Sequence, residues 1–177
     1  MMFLRWAGFA VLDLLVLALA FILAPVLPLF ALGRSALPAW LAWFQTPDNP
    51  IDGDANFQTN VAPFPGAVTG WRQYVNRVLW LYRNPSYGFD RTVVSFLAAP
   101  AAVVRKFGPL PITGKPQTGW YFAIAANPDG TRAFQFYAVK LWGTGSASRC
   151  SFGWKLWMVP GVCQFAMTIT PHLTVSE

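Results

Sequence analysis

Three kinds of hydrophobic pattern divide the chain. From Ala7 to Leu32 the run AGFAVLDLLVLALAFILAPVLPLFAL is apolar on every side, with Asp13 as its one charge. At about 1.5 Å per helical residue, such a stretch crosses a hydrocarbon core of roughly 30 Å. Residues 68–83, VTGWRQYVNRVLWLYR, follow a helical period instead. Trp71, Tyr74, Val75, Val78, Leu79 and Tyr82 recur at offsets of three and four as one apolar stripe. Arg72, Gln73, Asn76 and Arg83 lie largely opposite, with Arg77 toward the flank. From Gly119 onward the period becomes two, which predicts strands at 119–126, 132–142, 149–159 and 162–170. Asn127-Pro128-Asp129-Gly130, the stretch 143–148 and Pro160-Gly161 supply the turns.

The predicted fold class is α+β. An N-terminal transmembrane or hydrophobic helix and amphipathic helices precede a C-terminal four-stranded antiparallel meander. One face of the meander collects Trp120, Phe122, Ile124, Phe134 and Phe136; Phe152, Trp154, Leu156 and Met158 share a face of the third strand, and Phe165, Met167 and Ile169 a face of the fourth. A single sheet needs a covering layer, and the helix at 68–83 is the expected one. The segments are 1–34 (anchor helix), 35–107 (interfacial and amphipathic helices with an acidic turn) and 108–177 (sheet subdomain). Residues 92–104, TVVSFLAAPAAVV, are too few to span as a helix and read as a buried or re-entrant segment. Gly108 to Pro116 is a linker-like break.

Three readings of the first segment compete: a cleaved signal peptide, a buried core helix and a membrane anchor. Asp13 and the long continuation of the apolar run count against cleavage. A central Asp costs about 2.5–3.5 kcal/mol on insertion, and eight apolar neighbours each returning roughly 0.3–0.6 kcal/mol offset it. The anchor is therefore the expectation, with Pro25 and Pro28 ending or kinking the helix. Asp13 is expected at the interface or paired with Arg5, and its alternative role is in a helix bundle or ion path. Ser35 can cap a short helix whose Trp40 and Trp43 sit at the headgroup boundary beside Arg34.

Composition agrees with an interfacial protein. Of 177 residues, 55% are hydrophobic, 16% aromatic and 11% charged, with a net charge of +6. The low charged fraction excludes a disordered chain. Only Arg105 and Lys106 are adjacent cations and no block of five or six exists, so anionic lipid is a better partner than nucleic acid. Cys150 and Cys163 fall out of bridging reach in a hairpin centred on 159–162, where Cys150 faces the region of residue 171 and Cys163 faces Met158. Two free thiols favour a reducing compartment.

Candidate chemistry is sparse. WFQTPDNPIDGD at 43–54 gathers Asp48, Asn49, Asp52 and Asp54, the oxygen donors a hard cation favours. The spacing of a calcium loop is not met, and turn chemistry explains the same residues, so no metal is assigned. Asn84-Pro85 stops the preceding helix, and Ser86 to Phe89 is expected as a loop. Gly143 to Ser148 lacks the lysine of a phosphate loop, and His172 reads as a tail residue. No catalytic residue and no cofactor is assigned.

The apolar N-terminus, WFQTPDNPIDGD, YVNRVLWLYRNPSYGFD and FGWKLW together resemble a family of uncharacterised proteins encoded by tailed bacteriophages. The resemblance spans most of residues 7–160 and implies a bacterial host, without catalytic residues to carry over. The expected function is a non-catalytic, membrane-anchored accessory protein at the host inner membrane, its body cytoplasmic. Its expected partners are the lipid bilayer and a host or phage membrane protein, with a homo-oligomer left open. The alternatives are a virion component with the apolar helix in a subunit interface, and a lysis or pore-forming protein. The residues expected to bind are Asp48, Asn49, Asp52, Asp54, Arg72, Arg77, Arg83 and Tyr87. Those expected at the membrane are Asp13, Trp40 and Trp43.

Overall fold

The computed structural model describes residues 1–115, 117–143 and 145–174. Pro116 of the linker, Thr144 of the glycine-containing turn and the last three residues lie outside these. The chain forms two compact units, residues 1–10 with 94–177, and residues 11–93, which cut across the three segments read from sequence. The fold is mixed helix and sheet with an apolar N-terminal helix and antiparallel pairing.

Helix α1 covers Met2–Leu23, a length of about 33 Å. It stops two residues before Pro25, as expected from a ring that cannot continue the hydrogen-bond ladder. Little of its apolar surface fills a core: only 17% of its most apolar window is buried. By length and composition it is able to cross a membrane.

In the unit of residues 11–93, 3₁₀ turns at Leu27–Ala31 and Ala39–Phe44 are followed by three helices. These are α2 (Ala55–Asn60), α3 (Gly70–Arg83) and α4 (Tyr87–Thr92). The small residues Ala20, Ala24 and Ala31 bring the backbone close to Leu27, Leu37, Leu41, Phe44, Ile51 and Leu81, which form one core cluster. Two expectations are corrected here. The loop expected at 86–89 opens α4, where Gly88 lies so close to the 39–44 turn that an added Cβ would sit 2.0 Å from the Ala42 carbonyl oxygen. The buried side of α3 carries Asn76, Arg77, Trp80 and Leu81, whereas Trp71, Leu79 and Tyr82 of the expected apolar stripe are exposed.

In the other unit the main sheet has five strands, not four, in the order β2-β3-β4-β5-β7. The strands are β2 (Val103–Phe107), β3 (Gly119–Ala126), β4 (Arg132–Leu141), β5 (Ser146–Trp154) and β7 (Phe165–Thr174). A separate pair joins β1 (Phe96–Ala98) to β6 (Gly161–Cys163). The run 92–104, read as buried or re-entrant, instead contributes β1 and the start of edge strand β2. A short apolar run has no period of its own to separate these outcomes. The third expected strand ends at Trp154 because Lys155 leaves the sheet and Leu156–Met158 forms a 3₁₀ turn. His172 lies within β7 rather than in a tail.

The two faces of the sheet differ from expectation. Its sealed face carries the odd-numbered residues Tyr121, Ala123, Ala125, Ala133, Gln135 and Tyr137, all at most 1% exposed. The Leu156 amide donates to Gln135 Oε1, and Trp157 packs edge-on against Tyr137. The even-numbered aromatic face is covered at one end only. There Phe3, Trp6 and Phe9 of α1 meet Phe134, Phe152, Trp154 and Phe165. The covering helix is thus the start of α1, while residues 70–83 fold within the other unit. Trp154 is the hub: fully buried, it donates from Nε1 to the Val94 carbonyl at 2.8 Å and lies beneath the Arg5 guanidinium.

Cys150 and Cys163 are free, as expected. The pairing, however, is shifted: Cys150 faces Ile169 and Cys163 faces Phe96. Burial pushes the Cys163 thiol up to about 11, which keeps it protonated near neutrality.

Gly153 has φ +103, and a Cβ there would lie 2.0 Å from the Phe134 carbonyl oxygen. Gly153→Ala is expected to cost at least about 2 kcal/mol in a urea titration followed by tryptophan fluorescence. Gly130→Ala, strained by φ +84 but meeting no neighbouring atom, should cost less, about 1–2 kcal/mol.

Candidate functional site

The polar centre of residues 11–93 is the Arg77 guanidinium, on a side chain only 5% exposed. A cation is tolerated there because four of its five N–H donors are answered. Its Nε donates to Asp52 Oδ1 at 2.7 Å and Nη2 to Asp52 Oδ2 at 3.0 Å. Nη1 donates to the Ala31 carbonyl at 2.8 Å and Nη2 also to the Arg34 carbonyl at 2.9 Å. A fork of fixed geometry thus joins α3, the acidic turn and the end of the 27–31 turn. Gln73 Nε2 adds a bond to Asp52 Oδ1 at 2.9 Å. Burial pushes the Asp52 carboxyl upward, but hydrogen bonds from Arg77 and Gln73 and the Arg77 charge outweigh it, leaving Asp52 below its ordinary value of about 3.8.

The other acidic-turn residues do not converge on one point. Asp54 caps α2 by accepting from the Phe57 amide at 2.7 Å. Asp48 pairs with Arg91 at 3.4 Å near solvent and accepts from Asn49 Nδ2 at 3.3 Å. Among the described residues no group of three or more His, Cys, Asp or Glu is arranged to hold a metal. Gly53, at φ +95, lets the turn pass against Phe57 and Trp80 where a side chain would collide.

The remaining candidates are dispersed. Arg72 is exposed beside the Phe64 and Trp71 rings, and Arg83 is exposed at the end of α3. Tyr87 opens α4; burial and the nearby Asp48 charge raise its phenol above the ordinary value. Asp13 is only 6% exposed and accepts from Ser86 Oγ at 3.1 Å. It is not paired with Arg5, which lies over the Phe9 and Trp154 rings. Ser86 holds a left-handed conformation, φ 55, the only non-glycine residue to do so among those described. Strain of this kind persists where surroundings impose it, here with Asp13 bound by the same residue. Trp40 and Trp43 point outward from the 39–44 turn, 68% and 47% exposed, as Leu41 and Phe44 point inward. Ser35 does not cap that turn; Pro38 precedes it, and the Ser35 carbonyl accepts from the Ile51 amide instead.

Beside this polar centre lies an apolar cleft of about 250 Å³ lined by Pro28, Leu29, Leu32, Gly70, Trp71, Gln73, Tyr74 and Arg77. Tyr74 fixes one wall by donating to the Pro25 carbonyl at 2.6 Å. Leu29, Leu32 and Trp71 are all more than half exposed. Such an arrangement suits recognition by apolar contact around a neutralised charge. No nucleophile stands beside a base within it.

A sequence model matches residues 1–174, nearly the full chain. The chain belongs to a family of unknown function, DUF7338. No curated protein and no solved structure matches it. Membership therefore leaves the role of the site to its geometry. Sequence reasoning had included Asp52 and Arg77 but not their bond, which joins residues 25 positions apart. It missed Ser86, and it missed the carbonyls of Ala31 and Arg34, which carry no side-chain signal at all.

Arg77→Leu and Asp52→Leu are each expected to cost about 3–5 kcal/mol, with the double variant costing less than the sum. Chemical denaturation of the four proteins measures this coupling. Since folded Asp52 sits below its ordinary value, the unfolded chain binds protons more readily at that site. Its contribution to stability is full above about pH 4 and fades as pH falls through the folded value. Denaturation midpoints from pH 6 to pH 2 should show this fall, and Asp52→Asn should remove it.

Proposed function

We propose that the protein is a phage-encoded, membrane-attached accessory protein that binds a partner at the host inner membrane without performing catalysis. One observation carries this reading: residues 11–93 bury two charged and several polar side chains while leaving many large apolar ones at the surface. Asp13, Gln45, Thr46, Asn76, Arg77 and Ser86 are buried, while Leu15, Ile22, Leu29, Leu32, Trp40 and Trp71 lie at the surface. A water-facing domain places ionic groups outside and leaves few contiguous apolar patches. Lipid reverses the preference, and Trp at the boundary completes the pattern.

Residues 11–93 contain five cations and five carboxylates, whereas residues 1–10 and 94–177 contain eight cations and two. The whole net charge of +6 therefore belongs to the sheet-bearing unit, which favours its attraction to anionic headgroups. The resemblance to tailed-phage proteins supports the origin. The pore reading draws no support from Asp13, which is held by Ser86 rather than presented outward. The exposed positions Asp48, Arg72 and Arg83 and the half-buried Tyr87 remain the partner-binding candidates.

Expression of the full chain in a bacterial host, followed by fractionation and alkaline extraction, tests attachment. The wild type should stay with membranes, and Leu15→Arg/Ile22→Arg should reduce the retained fraction at least tenfold, since each Arg costs about 2.5–3.5 kcal/mol in an inserted helix. Complete recovery in soluble particles or virions would overturn the proposal.

A further inference from the structure

We infer that the even-numbered face of the five-stranded sheet is a second lipid-contact surface, selective for anionic headgroups; this rests on the membrane-attached reading above. The face is left open beyond the cover supplied by Phe3, Trp6 and Phe9. Phe107 on β2, Trp120 on β3 and Ile169 on β7 are 55%, 46% and 72% exposed. The register places them with one another: Phe107 faces Phe122, two residues along β3 from Trp120, and Ile169 faces Cys150 on β5. Apolar groups thus run from one edge of the sheet to the other, on the face opposite the sealed odd-numbered core.

The charge on this face identifies the occupant. On this face Arg105 lies two residues from Phe107, and Arg132 and Lys140 stand near opposite ends of β4; all three are exposed. Arg105 and Arg132 enter no ion pair among the described residues, and Lys140 lies over the Trp142 ring. They belong to the unit that holds the entire +6. Large apolar side chains bordered by unpaired cations are complementary to the acyl boundary and phosphates of an anionic bilayer. A nucleic-acid platform would use stacked aromatic faces, and aliphatic Ile169 offers none.

The test uses the full chain in a Cys150→Ser/Cys163→Ala background, reconstituted into vesicles of phosphatidylcholine or an equal mixture with phosphatidylglycerol. Spin labels are attached through Phe107→Cys, Ile169→Cys or, as reference, Leu15→Cys. Their accessibility to oxygen and to a water-soluble nickel chelate is then compared. The labels at 107 and 169 should read as lipid-immersed with phosphatidylglycerol and as aqueous without it, with position 15 lipid-immersed in both. Arg105→Gln/Arg132→Gln/Lys140→Gln should lower the docked-to-undocked ratio about a hundredfold, roughly fivefold per cation, and leave position 15 unchanged. Aqueous labels at 107 and 169 in both vesicles, with position 15 in lipid, would overturn this inference and spare the membrane-attached reading. An aqueous position 15 would overturn that reading and this inference with it. Equal immersion in both vesicles would overturn the headgroup selectivity. Protection of the labels by a single-stranded oligonucleotide without lipid would overturn the inference in favour of a stacking platform.

Discussion

The arrangement of residues 11–93 depends on one buried cation. Arg77 projects from α3 into the interior, where Asp52 and the carbonyls of Ala31 and Arg34 take up its donors. An unanswered guanidinium at that depth would be excluded by its desolvation cost. The acidic turn, the 27–31 turn and α3 are therefore specified jointly, since each supplies part of the same hydrogen-bonded fork. Asp52 is held ionised by that fork and, two residues on, Asp54 starts α2. What looks in the sequence like a cluster of oxygen ligands is divided among an ion pair, a helix cap and a surface bridge.

Placing polar groups inside has a consequence for the surface. With Asn76, Arg77 and Trp80 facing inward, α3 turns Trp71, Leu79 and Tyr82 outward. The same sorting occurs in the 39–44 turn, where Trp40 and Trp43 face out, and along α1, whose apolar side chains remain largely uncovered. The chain thus sequesters two of its charges, Asp13 and Arg77, and displays hydrocarbon at the surface, a distribution that is the basis of the membrane-attached proposal.

The sheet-bearing unit is built on a different economy. Its sealed side is packed with alanines and two tyrosines, and its aromatic side receives the first turns of α1 at one end. Trp154, anchored to the Val94 carbonyl and ringed by Phe9, Phe96, Phe134 and Phe165, holds that end together. The cations gather on this unit with no contiguous run longer than Arg105-Lys106, so the asymmetry emerges only when the chain is divided by structure.

Local pattern by itself determined the existence and type of most elements. The apolar helix and its stop before Pro25, the helix ending at Arg83 and the alternating segments at 119–126 and 132–141 all follow from period and from proline, because these act over a few residues. Two free cysteines were expected as well, though through a hairpin register that the structure shifts. Tertiary structure decided which faces those elements bury. Periodicity showed two sides to α3 and to each strand, but the inward side went to Arg77 and Asn76 once Asp52 and the Phe64 backbone could satisfy them. In the sheet the odd-numbered side, alanines with Tyr121 and Tyr137, is sealed beneath Leu156 and Trp157, while the aromatic side is buried only where the start of α1 covers it. Edge strand β2, the Asp13–Ser86 contact and the Asp52–Arg77 bond likewise join positions far apart in the chain. Burial is a property of what packs on a residue, and that partner is supplied by the fold, not by the neighbouring sequence.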